Sequence, residues 1–142
     1  MTQSIFVGTW RLVSYEVKLE NGQVIYPFGE EPVGYLMYTE QGYMSVTMMS
    51  ANRPPFASEN TRKASKEEIL AAAETFLAYC GKYEVLEDKV VHYPEVSGVP
   101  NWIGVRLERT FKITGNRLFL STLPSSKGDM PATSSHLVWE RV

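Results

Sequence analysis

His92 is the side chain in this sequence best suited to binding or proton transfer. It is one of two histidines and lies in an apolar run between Val91 and Tyr93. A neutral imidazole donates and accepts hydrogen bonds near neutral pH, so His92 is a candidate ligand anchor or general base. The alternative is a half-buried histidine satisfied by a neighbouring backbone group. His136, in the last apolar segment, is interpreted as structural.

Arg106 is the second candidate for chemistry. If residues 102–113 form one strand, Arg106 shares a face with Trp102 and Glu108, because alternate residues of a strand point the same way. With that face inward, Trp102 becomes a cavity wall and Arg106 a clamp for a carboxylate or phenolate. With it outward, Arg106 and Glu108 form a solvated ion pair. Alternation leaves both arrangements open. The opposite, more apolar face carries Ile103, Val105, Leu107, Arg109 and Phe111.

A mixed wall of hydroxyl and thioether groups is predicted on residues 43–50. Tyr43, Thr47 and Met49 share one strand face, and such a wall suits a hydrophobic ligand with a few polar groups. Arg53 begins the loop that follows, beside a Pro-Pro pair. We predict that Arg53 is a cation at the cavity entrance; an ordinary solvated loop arginine is the alternative.

We predict no metal site and no cofactor. The two histidines are far apart and lack cysteine or carboxylate partners at ligand spacing. A nucleophile elbow, a phosphate loop and a dinucleotide fingerprint are all missing from the sequence. Cys80 is the single cysteine and is interpreted as a packing residue. The standard hydrolase and nucleotide chemistries therefore lose support.

Composition indicates one domain, residues 1–142. A chain of 142 residues has the commonest size of a single domain. A net charge of −2 provides no basic surface for nucleic acid or an anionic membrane, so we expect neither as a partner. The first ten residues lack the pattern of a secretory leader, and one cysteine excludes an internal disulfide. We expect a cytoplasmic protein.

Short strands joined by tight turns indicate an all-β fold. Asn21-Gly22 and Gln41-Gly42 are hairpin signals. The antiparallel connections predict a single barrel of about eight to nine strands, or a closely related sandwich, with one α-helix inserted mid-chain. The predicted strands are residues 10–18, 23–26, 33–40, 43–50, 83–86, 89–93, 102–113, 117–122 and 135–142.

The helix is predicted over about residues 65–80. Ser65 and Glu68 form a capping box at its start, and Gly81 is the predicted end. Apolar residues recur at helical spacing within this range. We expect the helix to lie against the barrel or across its mouth.

The two ends of the chain carry a signature of barrel closure. Gly8 and Trp10 lie in the first strand and Arg141 in the last. The Trp10 indole can accept a cation over its face, and Arg141 would supply it. Gly8 lacks a side chain where the chain must bend tightly.

Several short motifs in order resemble the bacterial lipocalin-like domain family within the calycins, over nearly the whole length. The resemblance implies a barrel with an interior cavity and leaves the ligand open. The motifs are Gly8-Thr9-Trp10, residues 26–29, 34–39, 42–45 and 52–56, His92, residues 100–102, Gly104, Arg106, Arg109 and residues 118–120.

The leading hypothesis is an intracellular binding protein for a small hydrophobic or aromatic metabolite. Trp102, Tyr43 and Met49 would form walls, and Arg106 and His92 polar anchors. The alternative is a cofactor-independent isomerase, cyclase or lyase in which His92 transfers the proton and Arg106 stabilises an oxyanion or enolate. A third hypothesis is a protein that binds a partner through the barrel exterior. A homodimer is one assembly we consider.

Overall fold

The computed structural model describes residues 5–123 and 133–142, and in these ranges it has nine strands and one α-helix. The predicted numbers of strands and helices are confirmed. The strands are β1 Gly8–Leu19, β2 Val24–Ile25, β3 Val33–Tyr38, β4 Tyr43–Met49, β5 Phe76–Val85, β6 Lys89–Ser97, β7 Leu107–Thr114, β8 Arg117–Ser121 and β9 Thr133–Arg141, and the helix is α1 Lys66–Glu74. No described helix is long and apolar enough to cross a bilayer.

The sheet closes on itself as an antiparallel barrel of eight strands. Strands β3 to β9 each pair with the next, and β1 pairs with both β3 and β9. The short β2 pairs with the far end of β1 and is the extra strand. Asn21-Gly22 makes the β1–β2 turn and Gln41-Gly42 the β3–β4 turn, as predicted. The predicted all-β barrel is therefore confirmed, and the sandwich alternative is wrong.

One end of the barrel is sealed by the predicted pair of chain ends. Trp10 is fully buried and donates its indole N–H to the Phe6 carbonyl oxygen at 2.9 Å. The Arg141 guanidinium lies 4.1 Å from the centre of the Trp10 ring. Arg141 also donates hydrogen bonds to the carbonyl oxygens of Ile5 and Val7. Arg141 thus joins the first strand to the last by a cation–π contact and two hydrogen bonds.

The helix is shorter than predicted. Its start at Ser65 and the capping box with Glu68 are confirmed, but it ends at Glu74 instead of near residue 80. Residues 76–85 form β5, which pairs with β4 from Phe76 onward. The apolar residues of this run are mostly aromatic or small, and pairing with β4 favours the strand over the helix that their spacing suggested. Cys80 accordingly lies in a strand.

The long strand predicted at residues 102–113 is also shorter. Pro100–Trp102 forms a turn of 3-10 helix, and Gly104 has a positive φ of 79°. These features interrupt extended backbone, so β7 begins only at Leu107. Trp102 and Arg106 therefore do not share a strand face.

Replacing Gly8 by alanine should destabilise the sealed end. Gly8 has a φ of +134°, and an added Cβ would lie 2.9 Å from Arg141 Nη1. We expect Gly8→Ala to lower the free energy of unfolding by about 1–3 kcal/mol, measured by urea denaturation. Gly98→Ala is the matched control, because its Cβ meets no atom closer than 3.6 Å. Equal effects of the two changes would contradict the role of Gly8.

Candidate functional site

The barrel contains a partly open cavity of about 140 Å³ whose walls are mostly apolar and aromatic. Eight of the nine strands, all except β2, and the 3-10 turn at Trp102 contribute to it. Its lining residues are Tyr15, Leu36, Val46, Met48, Leu77, Tyr79, His92, Trp102, Arg109, Leu120, Ser135, Leu137 and Trp139. The structure thus brings two of the predicted site residues, His92 and Trp102, to one cavity.

His92 is held between two tyrosine hydroxyls. Its Nε2 is 2.7 Å from the Tyr38 hydroxyl, and its Nδ1 is 2.8 Å from the Tyr79 hydroxyl. The ring is only 2% exposed, and both nitrogens point at side chains of the neighbouring wall. The half-buried histidine bonded to a backbone group, the alternative considered from sequence, is therefore wrong. We name Tyr38, His92 and Tyr79 the hydroxyl–imidazole cluster.

The cluster is uncharged at neutral pH. Burial, together with the nearby Arg109 charge, lowers the pKa of His92 to about 3. Burial also raises the pKa of the Tyr38 and Tyr79 hydroxyls, so both keep their protons. A histidine with so low a pKa is a weak general base. The cluster is consequently better suited to hydrogen bonding than to proton abstraction.

Trp102 reaches the cavity from its turn instead of from a strand. Its ring packs edge-on against Tyr79, with 5.8 Å between ring centres and an interplanar angle of 89°. This contact places an indole beside the hydroxyl–imidazole cluster. Trp102 is thus in the predicted position of a cavity wall, although the strand that was expected to include it begins only at Leu107. Ligand binding by Trp102 and His92 stays a prediction.

Arg109 is the charged residue of the cavity lining, and the sequence reasoning did not select it. It lies on β7, on the half-buried face that also carries Leu107, Phe111 and Ile113. Its charge lowers the pKa of the Tyr15 and Tyr79 hydroxyls against the larger effect of burial. A basic residue at an otherwise apolar strand position was the available signal. It was overlooked because the apolar face of residues 103–111 was not assigned to a cavity.

Arg106 lies on the barrel exterior. Its side chain is 47% exposed and lies 3.7 Å from Glu108 Oε1. The guanidinium also donates a hydrogen bond to the Tyr93 hydroxyl and lies 5.9 Å from the centre of that ring. The solvated Arg106–Glu108 pair is the correct alternative, and the placement of Arg106 inside the cavity is wrong. The physical reason is that Arg106 precedes β7 and its charge stays in water.

The predicted inward face of β4 is also wrong. Tyr43 is 48% exposed, and Thr47 faces outward with it. Met44, Val46 and Met48 are the buried residues of this strand. Because successive strand residues point to opposite faces, an error of one residue in phase exchanges the two sets. The hydroxyl groups that suggested a binding wall belong to the solvated exterior, and Met49, half-buried at the end of the strand, does not line the cavity.

Arg53 caps the helix and does not line the cavity. Its Nε donates to Thr75 Oγ1 and its Nη2 to the Ala72 carbonyl oxygen, both at 3.0 Å. The guanidinium also lies 5.4 Å from the centre of the Phe76 ring. A cation at a helix C-terminus satisfies free carbonyl groups and the helix dipole. The alternative of an ordinary solvated loop arginine is therefore wrong, because the contacts of Arg53 are structural. Its place at the cavity entrance stays a prediction.

The remaining titratable candidates have structural contacts. His136 is hydrogen-bonded to Ser121 through Nδ1 and to Ser134 through Nε2, on neighbouring positions of β8 and β9. Within residues 5–123 and 133–142, no group of His, Cys, Asp and Glu is placed to hold a metal ion. The polar chemistry of the described cavity is therefore that of hydroxyl, imidazole, indole and guanidinium groups.

Acid should destabilise the fold through His92. Its pKa is about 3 in the folded protein, below the ordinary value of 6.5, so the unfolded chain binds the proton more readily. The stabilising contribution is complete above about pH 6.5. It is lost as the pH falls from 6.5 toward 3, at up to about 1.4 kcal/mol per pH unit.

We expect His92→Gln to show a smaller loss of unfolding free energy than the wild type between about pH 7 and about pH 4.5, measured by urea denaturation. Carboxylates titrate equally in both proteins, so the difference isolates His92. His136→Gln is the control, because His136 is much less buried. Identical pH dependence in the wild type and His92→Gln would contradict the buried neutral histidine.

Comparison with known proteins agrees with this architecture. The family model described as a lipocalin-like domain matches residues 7–142. The chain is 30% identical over 107 residues to the 4'-hydroxy-3'-methoxypropiophenone carrier protein ppsC of Aspergillus oryzae, a match that covers 70% of this chain and 96% of that protein. No solved structure matches the chain. The closed barrel and the family match together place the protein in the lipocalin-like domain family.

Proposed function

We propose that the protein binds a small hydrophobic or aromatic molecule of about one ring in the barrel cavity. The observation that carries the proposal is the size of the cavity, about 140 Å³, close to the ~150 Å³ of an apolar protein cavity that takes up benzene. A hydrocarbon chain of fatty-acid length exceeds this volume. The cavity therefore selects for a single ring with short substituents.

The lining supports an aromatic ligand. Trp102, Trp139, Tyr15 and Tyr79 present ring surfaces to the cavity, and aromatic pairs gain about 0.5–1.5 kcal/mol beyond the burial of their area. Aliphatic side chains such as Leu36 fill the rest of the wall. The hydroxyl–imidazole cluster supplies hydrogen bonds to a polar substituent.

The similarity to a named carrier protein supports the same class of ligand. The molecule in the name of the Aspergillus oryzae protein is a single-ring ketone with one hydroxyl and one methoxy substituent. A carrier needs a cavity that holds the molecule without transforming it. The weak basicity of His92 fits such a role better than that of an isomerase, cyclase or lyase. The cytoplasm is the proposed compartment, since the single cysteine forms no internal disulfide.

Ligand size is the first test of this proposal. Isothermal titration calorimetry would compare a phenyl alkyl ketone with its naphthyl analogue. We expect the phenyl ketone to bind at least about tenfold more tightly, because the second ring must displace packed side chains at a cost of about 1–3 kcal/mol. Equal or tighter binding of the naphthyl ketone, or no binding of either ketone, would contradict the proposal.

Filling the cavity is the second test. Leu120 lines the cavity, and Phe119 beside it faces the exterior. We expect Leu120→Trp to lower the affinity for the phenyl ketone at least about tenfold by occupying its space, with Phe119→Trp as the matched control. Circular dichroism and the melting temperature would show that both variants are folded. Undiminished binding by folded Leu120→Trp would contradict the barrel interior as the site.

A further inference from the structure

We propose, on the basis of the function just described, that the cavity recognises an anionic oxygen on the aromatic ligand, a carboxylate or a phenolate, through Arg109, with Tyr79 and Trp139 as further hydrogen-bond donors. The general proposal concerns the size and apolar character of the ligand. The present one concerns its charge, and three separate observations on the cavity wall support it.

The first observation is that the guanidinium of Arg109 lacks a carboxylate partner. Arg109 is half-buried and lines the cavity. It donates hydrogen bonds to the Glu108 backbone carbonyl oxygen at 3.1 Å and to the Tyr79 hydroxyl oxygen. The Glu108 carboxylate pairs instead with Lys89 and Arg106 outside the barrel. Across the described ranges, no carboxylate forms an ion pair with Arg109. A partly desolvated cation is stabilised by a counter-charge, which an anionic ligand would supply.

The second observation is the indole N–H of Trp139. Trp139 is 1% exposed and lines the same cavity as Arg109. Its Nε1 is buried, and within residues 5–123 and 133–142 no acceptor lies at hydrogen-bond distance. A buried donor without an acceptor costs about 1–3 kcal/mol, and such groups are rare in folded proteins. An oxygen atom of a bound ligand is the acceptor this donor lacks.

The third observation is the direction of the protons in the hydroxyl–imidazole cluster. Neutral His92 carries one N–H, so one tyrosine donates to the ring and the other accepts from it. Tyr38 is fully buried, and His92 is the hydrogen-bond partner found for its hydroxyl in the described chain. If Nε2 carried the hydrogen, the Tyr38 hydroxyl proton would therefore need another acceptor. Donation from Tyr38 to Nε2 avoids a buried hydroxyl proton without an acceptor.

That arrangement makes Tyr79 a donor to the cavity. With Nε2 accepting from Tyr38, Nδ1 carries the hydrogen and donates to the Tyr79 oxygen. The Tyr79 proton is then free to be donated to an acceptor in the cavity that Tyr79 lines. Burial keeps this hydroxyl protonated by raising its pKa.

A guanidinium, an indole N–H and a hydroxyl together favour a group with several lone pairs and a negative charge. A carboxylate and a phenolate meet this requirement, and an arginine can bind a carboxylate through two parallel hydrogen bonds. A neutral hydrocarbon would leave Arg109 without a counter-charge and the Trp139 N–H without an acceptor. A neutral amide would satisfy donors without balancing the charge of Arg109.

The test compares benzoate with benzamide, which have nearly the same shape and differ in charge. By isothermal titration calorimetry at neutral pH, we expect benzoate to bind the wild type at least about tenfold more tightly. Arg109→Met should remove most of this preference and leave the affinity for benzamide within about twofold. Arg117→Met is the matched control, since Arg117 lies on the exposed face of β8 and should leave both affinities unchanged.

A second pair of measurements distinguishes carboxylate from phenolate. 4-Nitrophenol ionises near neutral pH, so its affinity is measured on the acidic and the alkaline side of its ionisation. Tighter binding of the phenolate than of the neutral phenol, without a preference for benzoate over benzamide, assigns the site to phenolates. A preference for benzoate alone assigns it to carboxylates. Either result supports the proposal if Arg109→Met abolishes it.

Two variants separate recognition from a structural role of Arg109. Arg109→Lys keeps the charge but loses the planar pair of donors, so its benzoate affinity should fall between those of the wild type and Arg109→Met. The melting temperature of ligand-free Arg109→Met should be no lower than that of the wild type, because the change removes a partly buried cation. A lower melting temperature with an unchanged preference for benzoate would overturn the proposal.

The outcomes also separate this inference from the general function. Equal binding of charged and neutral probes by the wild type would overturn the anion site and leave the aromatic cavity intact. Binding of none of these single-ring probes would overturn both proposals.

Discussion

The pairing of β1 with both β3 and β9 is the constraint on which the rest of this structure depends. It removes the free edges of the sheet between these strands and converts the sheet into a barrel with an interior. A bulge between Leu12 and Ser14 lets β1 bend while it stays paired with β9. Arg141, stacked on Trp10, fixes this junction at one end. Every inward side chain is consequently held facing the same enclosed volume.

Two kinds of polar group line the cavity, and they differ in the free-energy cost of their burial. The hydroxyl–imidazole cluster is neutral and satisfies its own nitrogens, so it can be buried at little cost. Among the described residues, Arg109 has no carboxylate partner and the Trp139 indole N–H has no acceptor. A barrel optimised for stability alone would replace them with apolar side chains. Their presence in the cavity wall is the basis of the proposed recognition of an anionic ligand.

Local signals were read correctly from the sequence, and longer-range ones were not. Asn21-Gly22 predicted a hairpin and Ser65 predicted a helix start, because each depends on a few neighbouring residues. The end of the helix was wrong, since residues 76–80 have helical spacing but gain more from pairing with β4. The propensity of a segment does not include the free energy that the segment gains by pairing with a strand elsewhere in the chain.

The candidate site was predicted only in part, because the direction of a strand face also depends on residues that are distant in the sequence. His92 and Trp102 were identified by residue type, which survives errors in element boundaries. Tyr43 and Arg106 were placed inside by alternation, which fails completely when the phase is wrong by one residue or the strand begins later. Arg109 was missed because the apolar face around it was not recognised as cavity wall. The inward direction of a strand is set by its neighbours in the barrel.

The pairing of β9 with β1 has a consequence for biosynthesis. Arg141 contacts the carbonyl oxygen of Val7, 134 positions earlier in the chain, and β9 is the last barrel strand to leave the ribosome. Until it emerges, β1 and β8 remain open edges and the apolar face of every finished hairpin stays exposed. The cavity therefore comes into existence only after β9 has been synthesised, and before that point the proposed ligand cannot protect the growing chain from aggregation.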